Sequence, residues 1–168
     1  MGDVKEQLLY KNFISTLTVF MRKSKLEEAL SIVNTFYAMG DLPIWMAFSQ
    51  ISKIGYLEDS TAVYRYLNNS ASHHTDKLKH FNFVKSAFQL KYDFMNKYEY
   101  KPKTIRQVNE RYAKYLFKYA IILGESHVID EFLTFCSKNK NPKIKIYKWI
   151  FNLSKIDLFK KILMKVIN

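Results

Sequence analysis

The stretch SKLEEALSIVNTFYAMGDLP, residues 24–43, reads as one complete helix with its start and stop signals, followed at once by the opening of another. Ser24 and Glu27 stand at the spacing of a capping box, in which each side chain satisfies a free N–H at the other's end. Ala29, Ile32, Val33 and Phe36 then recur at helical intervals and form an apolar face. Gly40 closes the helix, because a residue without Cβ adopts the left-handed cap at little cost. Pro43 stands where a helix opens most readily. The stretch therefore predicts helix, tight turn, helix start.

The same grammar extends in both directions. Asp3 and Glu6 form a box that opens a first helix, with Leu9, Phe13, Leu17 and Phe20 as its apolar stripe. A third helix presents Ile44, Ala47, Phe48 and Ile51 and stops at Gly55. A fourth is expected from about Leu57 to Leu67, with Glu58 and Asp59 in the first turn, where the helix dipole favours anions. NNSASHHTD, residues 68–76, is a polar loop. A long aromatic-rich helix over 76–99 stops before Pro102. Thr104 and Gln107 make another box for a helix reaching Leu123, with Gly124 as its stop. Ser126 opens a helix carrying Ile129, Phe132, Leu133 and Phe135. Pro142 opens one whose face is Ile146, Trp149, Ile150 and Leu153. Ser154 and Asp157 open the last, with Phe159, Ile162, Leu163 and Val166. The reading is all-α, about nine helices, joined by links short enough to force antiparallel hairpins. Lys11 to Gly40-Asp-Leu-Pro43 spans one period in the thirties, which points to stacked hairpins rather than a bundle.

Composition supports that reading. The 168 residues suit one domain, residues 1–168, with first hairpins over 1–68, an irregular long helix over 76–99 and basic hairpins over 104–168. Hydrophobic residues make up 48%, so the chain can bury a core, and only 4 Gly and 3 Pro interrupt it, too few for a turn-rich β fold. The single cysteine, Cys136, excludes an internal disulfide and reads as a small buried hydrophobe. No apolar run reaches the length of a membrane span. The N-terminal MGDVKEQLL lacks the Arg and Ser enrichment of a transit peptide, and Glu6 stands where a myristoylation signal wants Ser or Thr. Charge is unevenly spread: 27 Lys and Arg against 15 Asp and Glu leave +12, and the last 68 residues, with 15 basic and 5 acidic, hold +10 of it. A clustered positive field concentrates phosphate-bearing ligands, so the charge reads either as a site for a polyanion or an acidic surface, or as a Lys-rich solvated surface.

Three stretches carry a resemblance to a known family. YKNFISTLTVFMRKSKLEEALSIVNTFYAMGDLP, residues 10–43, resembles one pentatricopeptide repeat, with Phe13, Leu17 and Phe20 on its first helix, Lys25 to Leu30 opening its second, and Gly40 and Pro43 at the closing turn. ISKIGYLEDSTAVYRYL (Ile51 to Leu67) and YAIILGESHVIDEFLTFCSKNKNPK (Tyr119 to Lys143) are similar to the middles of two more. The resemblance covers about two-thirds of the chain. It implies a short right-handed α-solenoid that binds single-stranded RNA along a groove lined by the first helix of each hairpin, and a mitochondrial location, with the cytoplasm as the alternative. Family members read bases through a polar residue early in the first helix and another at the repeat's end. Here those positions fall near Ile14 and Ile44, both apolar, a departure that points away from base-specific readout by that repeat.

The candidate RNA-binding residues come from spacing. Gln107, Arg111, Lys114 and Lys118 recur at four, three and four, which places them on one side of their helix, with Arg106 beside them. Lys145, Lys148 and Asn152 do the same on the helix after Pro142. Both are first helices of their hairpins, so the two rows are expected on one wall of the groove. Cations at repeated intervals suit backbone phosphates, and Tyr112 or Tyr115 would stack with unpaired bases. Elsewhere the chemistry is sparse. His73, His74 and His80 lack a second ligand cluster, so no metal is expected. His127 reads as a surface or capping residue, and there is no phosphate loop, nucleophile elbow or catalytic triad spacing, so neither enzyme activity nor a cofactor is expected. Trp45 and Trp149 are both expected in the core. The expected role is an RNA-binding helical-repeat protein that stabilises, processes or helps translate an organellar transcript. The second reading is a tetratricopeptide-like scaffold for protein–protein interaction, or a subunit of a larger ribonucleoprotein assembly.

Overall fold

The computed structural model describes residues 2–33, 36–65, 76–139, 144–153 and 165. They form seven α-helices and one short 3₁₀ turn, with no strand among the described residues: α1 (Lys5–Tyr10), the 3₁₀ turn (Thr16–Thr18), α2 (Lys23–Ile32), α3 (Leu42–Ile51), α4 (Lys77–Lys97), α5 (Pro102–Leu123), α6 (Ser126–Lys138) and α7 (Ile144–Leu153). The chain divides into two compact units, Met1–Val108 and Asn109–Asn168, and α5 runs through the boundary.

In the first unit α3 is the hub, packing against α1, α2 and α4. Its sequence, LPIWMAFSQI, explains why: Leu42, Pro43, Trp45, Met46, Ala47, Phe48 and Ser49 are all buried, so almost no side of it faces water. Asp41 opens it, its carboxylate accepting the Leu42 N–H at 2.7 Å, and Pro43 stands in the first turn, where no N–H is needed. The buried Ser49 hydroxyl donates to the Met46 carbonyl at 2.7 Å, which settles its polarity inside the helix. Around α3 lie Leu8 and Leu9 of α1, Ala29 of α2, and Phe81, Phe88, Leu90 and Phe94 of α4. Side-chain hydrogen bonds tie the loops down. Thr16 donates to Asp41 at 2.7 Å, Tyr37 to Asp93 at 2.8 Å, and the buried Lys91 ammonium to the Tyr10 carbonyl at 3.0 Å. An isolated antiparallel bridge, Gly2 with Ile54, joins the two backbones through a pair of 3.0 Å hydrogen bonds.

Several expected elements are shorter or absent. The first helix ends at Tyr10 instead of continuing to Phe20, so Leu9, Phe13, Leu17 and Phe20 do not form one stripe; the last three are exposed. Local chemistry wins there. The Asn12 side chain accepts the Ile14 N–H at 3.0 Å and Thr18 donates back to the Ser15 carbonyl at 2.8 Å, competing with helical hydrogen bonds in a run of weak helix formers. The Asp3–Glu6 box does not close either, since Glu6 accepts the Lys101 N–H at 3.1 Å. Ser24 is not the cap of α2; Arg22 is, without a side-chain hydrogen bond, and Val33 is already extended, which leaves Phe36 outside the helix and exposed. Gly40 is not left-handed; among the described glycines only Gly124 has a positive φ. The described part of the expected fourth helix, residues 57–65, is not helical, and Leu57, Val63 and Tyr64 are exposed. Without an apolar surface to bury against, propensity alone does not hold a helix. The polar loop up to residue 75, the Pro142 opening and the final Ser154 helix, apart from Lys165, lie outside the described residues.

The later elements follow expectation more closely. Asp76 caps α4, accepting from the Leu78 and Lys79 N–H groups at 2.9 and 3.1 Å. α5 begins at Pro102, two residues before Thr104, which lies buried within the helix instead of capping it. It stops at Leu123 with Gly124 at φ 68°, the left-handed stop that a residue without Cβ supplies cheaply. In the second unit, α5 and α6 pack through Tyr112 against Phe135, and Phe117 and Phe132 meet Tyr147 and Phe151 of α7 with ring centroids 5.0–5.7 Å apart. Leu116, Val128 and Cys136 fill the space around that aromatic cluster.

Candidate nucleic-acid interface

α5 is amphipathic over its middle turns, residues 107–119, whereas Thr104, Ala120 and Ile121 nearer its ends are buried at other phases. Val108, Tyr112, Leu116 and Tyr119 are buried. Gln107, Arg111, Lys114 and Lys118 lie together roughly 130° around the helix from them, at about 100° per residue. Arg111 and Lys114 are exposed and Lys118 is half-buried. Arg106 is exposed but about 100° further round, off this row. The row and Arg106 thus share a helix without sharing a face.

α7 repeats the arrangement with one change. Tyr147 and Phe151 face the aromatic cluster, and Lys145, Lys148 and Asn152 are exposed on the other side. The expected apolar face of Ile146, Trp149, Ile150 and Leu153 is not the buried one: Ile146 is 55% and Trp149 61% exposed. Trp149 therefore does not belong to the core, whereas Trp45, at 4%, does. The helix carries apolar residues on two sides, and the Phe117–Phe132 pair takes up the Tyr147–Phe151 side. α7 has two lysines and no acidic residue, so nothing on it offsets the positive charge around the indole.

The tyrosines expected to stack with bases are committed inward. The Tyr112 ring meets Phe135 edge-on at 5.0 Å, and its hydroxyl donates to Glu131 at 2.9 Å. Tyr115 lies against Tyr119 at 4.7 Å, and burial raises its hydroxyl pKa above the ordinary phenol value, with Tyr119, Tyr112 and Glu131 adding to the rise. The aromatic residue available for contact is instead Trp149.

Among the described residues no group of three or more His, Cys, Asp or Glu side chains could hold a metal ion. His80 is half-buried in α4, and His127 Nδ1 lies 3.1 Å from Glu125, beside the turn into α6. Cys136 is buried, and desolvation raises its thiol pKa, which keeps it protonated and unreactive. No helix among the described residues is long and apolar enough to cross a membrane. No protein-family model matches the chain, and no curated protein or solved structure matches it.

Proposed function

We propose that this chain binds single-stranded RNA through backbone phosphates, using Arg111, Lys114 and Lys118 of α5 together with Lys145 and Lys148 of α7. The observation that carries the reading is the sorting of side chains within each helix: the tyrosines and phenylalanines pack against other rings, while Arg111, Lys114, Lys145 and Lys148 are exposed. Repeated cations with no shaped pocket suit a phosphate backbone better than a small ligand. The proposal extends, on the sequence resemblance alone, to a pentatricopeptide-like arrangement of α5, α6 and α7, with an organellar transcript as target and a mitochondrial setting. The role has no catalytic component. Phosphate contacts carry little sequence information, in keeping with the apolar Ile14 and Ile44.

The test is a titration of labelled single-stranded RNA against the full chain and a variant combining Arg111→Ala, Lys114→Ala, Lys145→Ala and Lys148→Ala. Affinity should fall by about tenfold or more, about 1.4 kcal/mol, and by the same factor for unrelated sequences. Unchanged affinity in the variant would refute the assignment.

One observation favours the scaffold reading. In the first unit Phe20, Phe36, Tyr56, Leu57, Val63 and Tyr64 are exposed, an amount of apolar surface that a protein partner would cover. Salt-insensitive capture of a protein by this unit, in a chain without RNA affinity, would replace the first reading with this one.

A further inference from the structure

We infer that Trp149 is a stacking platform for an unpaired base, and that through it the chain selects single-stranded over double-stranded nucleic acid. The inference rests on the RNA reading and goes beyond it, because phosphate contacts alone do not tell paired from unpaired strands.

The argument starts from what Trp149 forgoes. Tyr147 and Phe151, two residues to either side, are packed into the aromatic cluster with Phe117 and Phe132, yet the largest side chain of the helix remains 61% exposed. Its neighbours on the helix surface are Lys145, one turn before it, and Asn152, three residues after it, both exposed, with the exposed Lys148 about 100° round the helix. A flat π surface with one cation beside it and a second about 100° round the same helix can take a base on its face and hold the adjoining phosphates near it. A base inside a duplex presents no free face, so only an unpaired strand can use both parts.

The same helix suits an anionic lipid surface less well. A membrane-surface helix places its broad apolar face into the headgroup region with the cations opposite. Here Tyr147 and Phe151 are spent on the aromatic cluster and Ile150 and Leu153 are half-buried, so that among the described side chains of the helix Trp149 and Ile146 are the exposed apolar ones.

The experiment uses the full chain and the variants Trp149→Ala and Trp149→Tyr, titrated with a uridine-rich single strand and with a duplex of the same length. Binding is read by anisotropy of the labelled strand and by tryptophan emission. The single strand should quench the exposed indole, with the buried Trp45 little affected. Trp149→Ala should lose that quenching and about tenfold in single-strand affinity, with duplex affinity unchanged, and Trp149→Tyr should recover most of the loss. Equal weakening toward both forms would overturn the platform and leave a structural role. Unchanged single-strand affinity in Trp149→Ala would overturn it while leaving the phosphate reading intact. Absence of any RNA binding, with a blue shift of emission on phosphatidylserine vesicles, would overturn both readings in favour of a lipid surface.

Discussion

Phe132 and Trp149 show how differently two aromatic residues can be used in one small unit. Phe132 is almost fully buried and meets Phe117, Tyr147 and Phe151, so it joins three helices at a single point. Removing its ring leaves a cavity that three neighbours cannot all collapse to fill, and Phe132→Ala should cost about 3–5 kcal/mol in chemical denaturation. Trp149, mostly in water, has little burial to lose, and its replacement should be felt in binding rather than in stability. Which residue plays which part was not legible from their own neighbourhoods, since both stand on apolar stripes. Tyr112 makes the same point in reverse: its place beside Arg111 suggested an exposed ring, and its bond to Glu131 holds it inside.

At the scale of helices, the legible features were those in which local chemistry and tertiary packing agree. α3 carries a cap, a first-turn proline and a continuously apolar body, and it became the hub of its unit. α4 was expected over 76–99 and is found at Lys77–Lys97, held at its start by Asp76. Asp76→Ala removes an acceptor shared by two free N–H groups and should cost about 1 kcal/mol, with faster amide exchange confined to the first turn of α4. The stretches misread as helix, 11–20 and 57–65, have the right periodicity but no packed partner for their apolar residues. Periodicity reports which residues would share a face if a helix formed; it does not supply the surface that makes the helix form.

For the whole molecule, charge is the property on which the proposed RNA binding turns. With +12 overall and +10 in the last 68 residues, the attraction to a polyanion is long-ranged and screened by salt. If the five cations of α5 and α7 each meet a phosphate of a single strand, the logarithm of the binding constant should fall against the logarithm of salt concentration with a slope of about −3.5. A slope near zero, measured by titration at several salt concentrations, would mean that these side chains do not carry the binding. The sequence by itself determined the helical class, the existence of α3 to α6, the stop at Gly124 and the phase of the cations, because these depend on spacing along one chain; α3 ends at Ile51, short of the expected Gly55. Only the tertiary structure decided that α1 stops at Tyr10, that the tyrosines of α5 turn inward and that α7 packs Tyr147 and Phe151 into the aromatic cluster while exposing Trp149. The reason is physical: α7 has two sides apolar enough to bury, and the choice between them belongs to the rings of α5 and α6 that they meet.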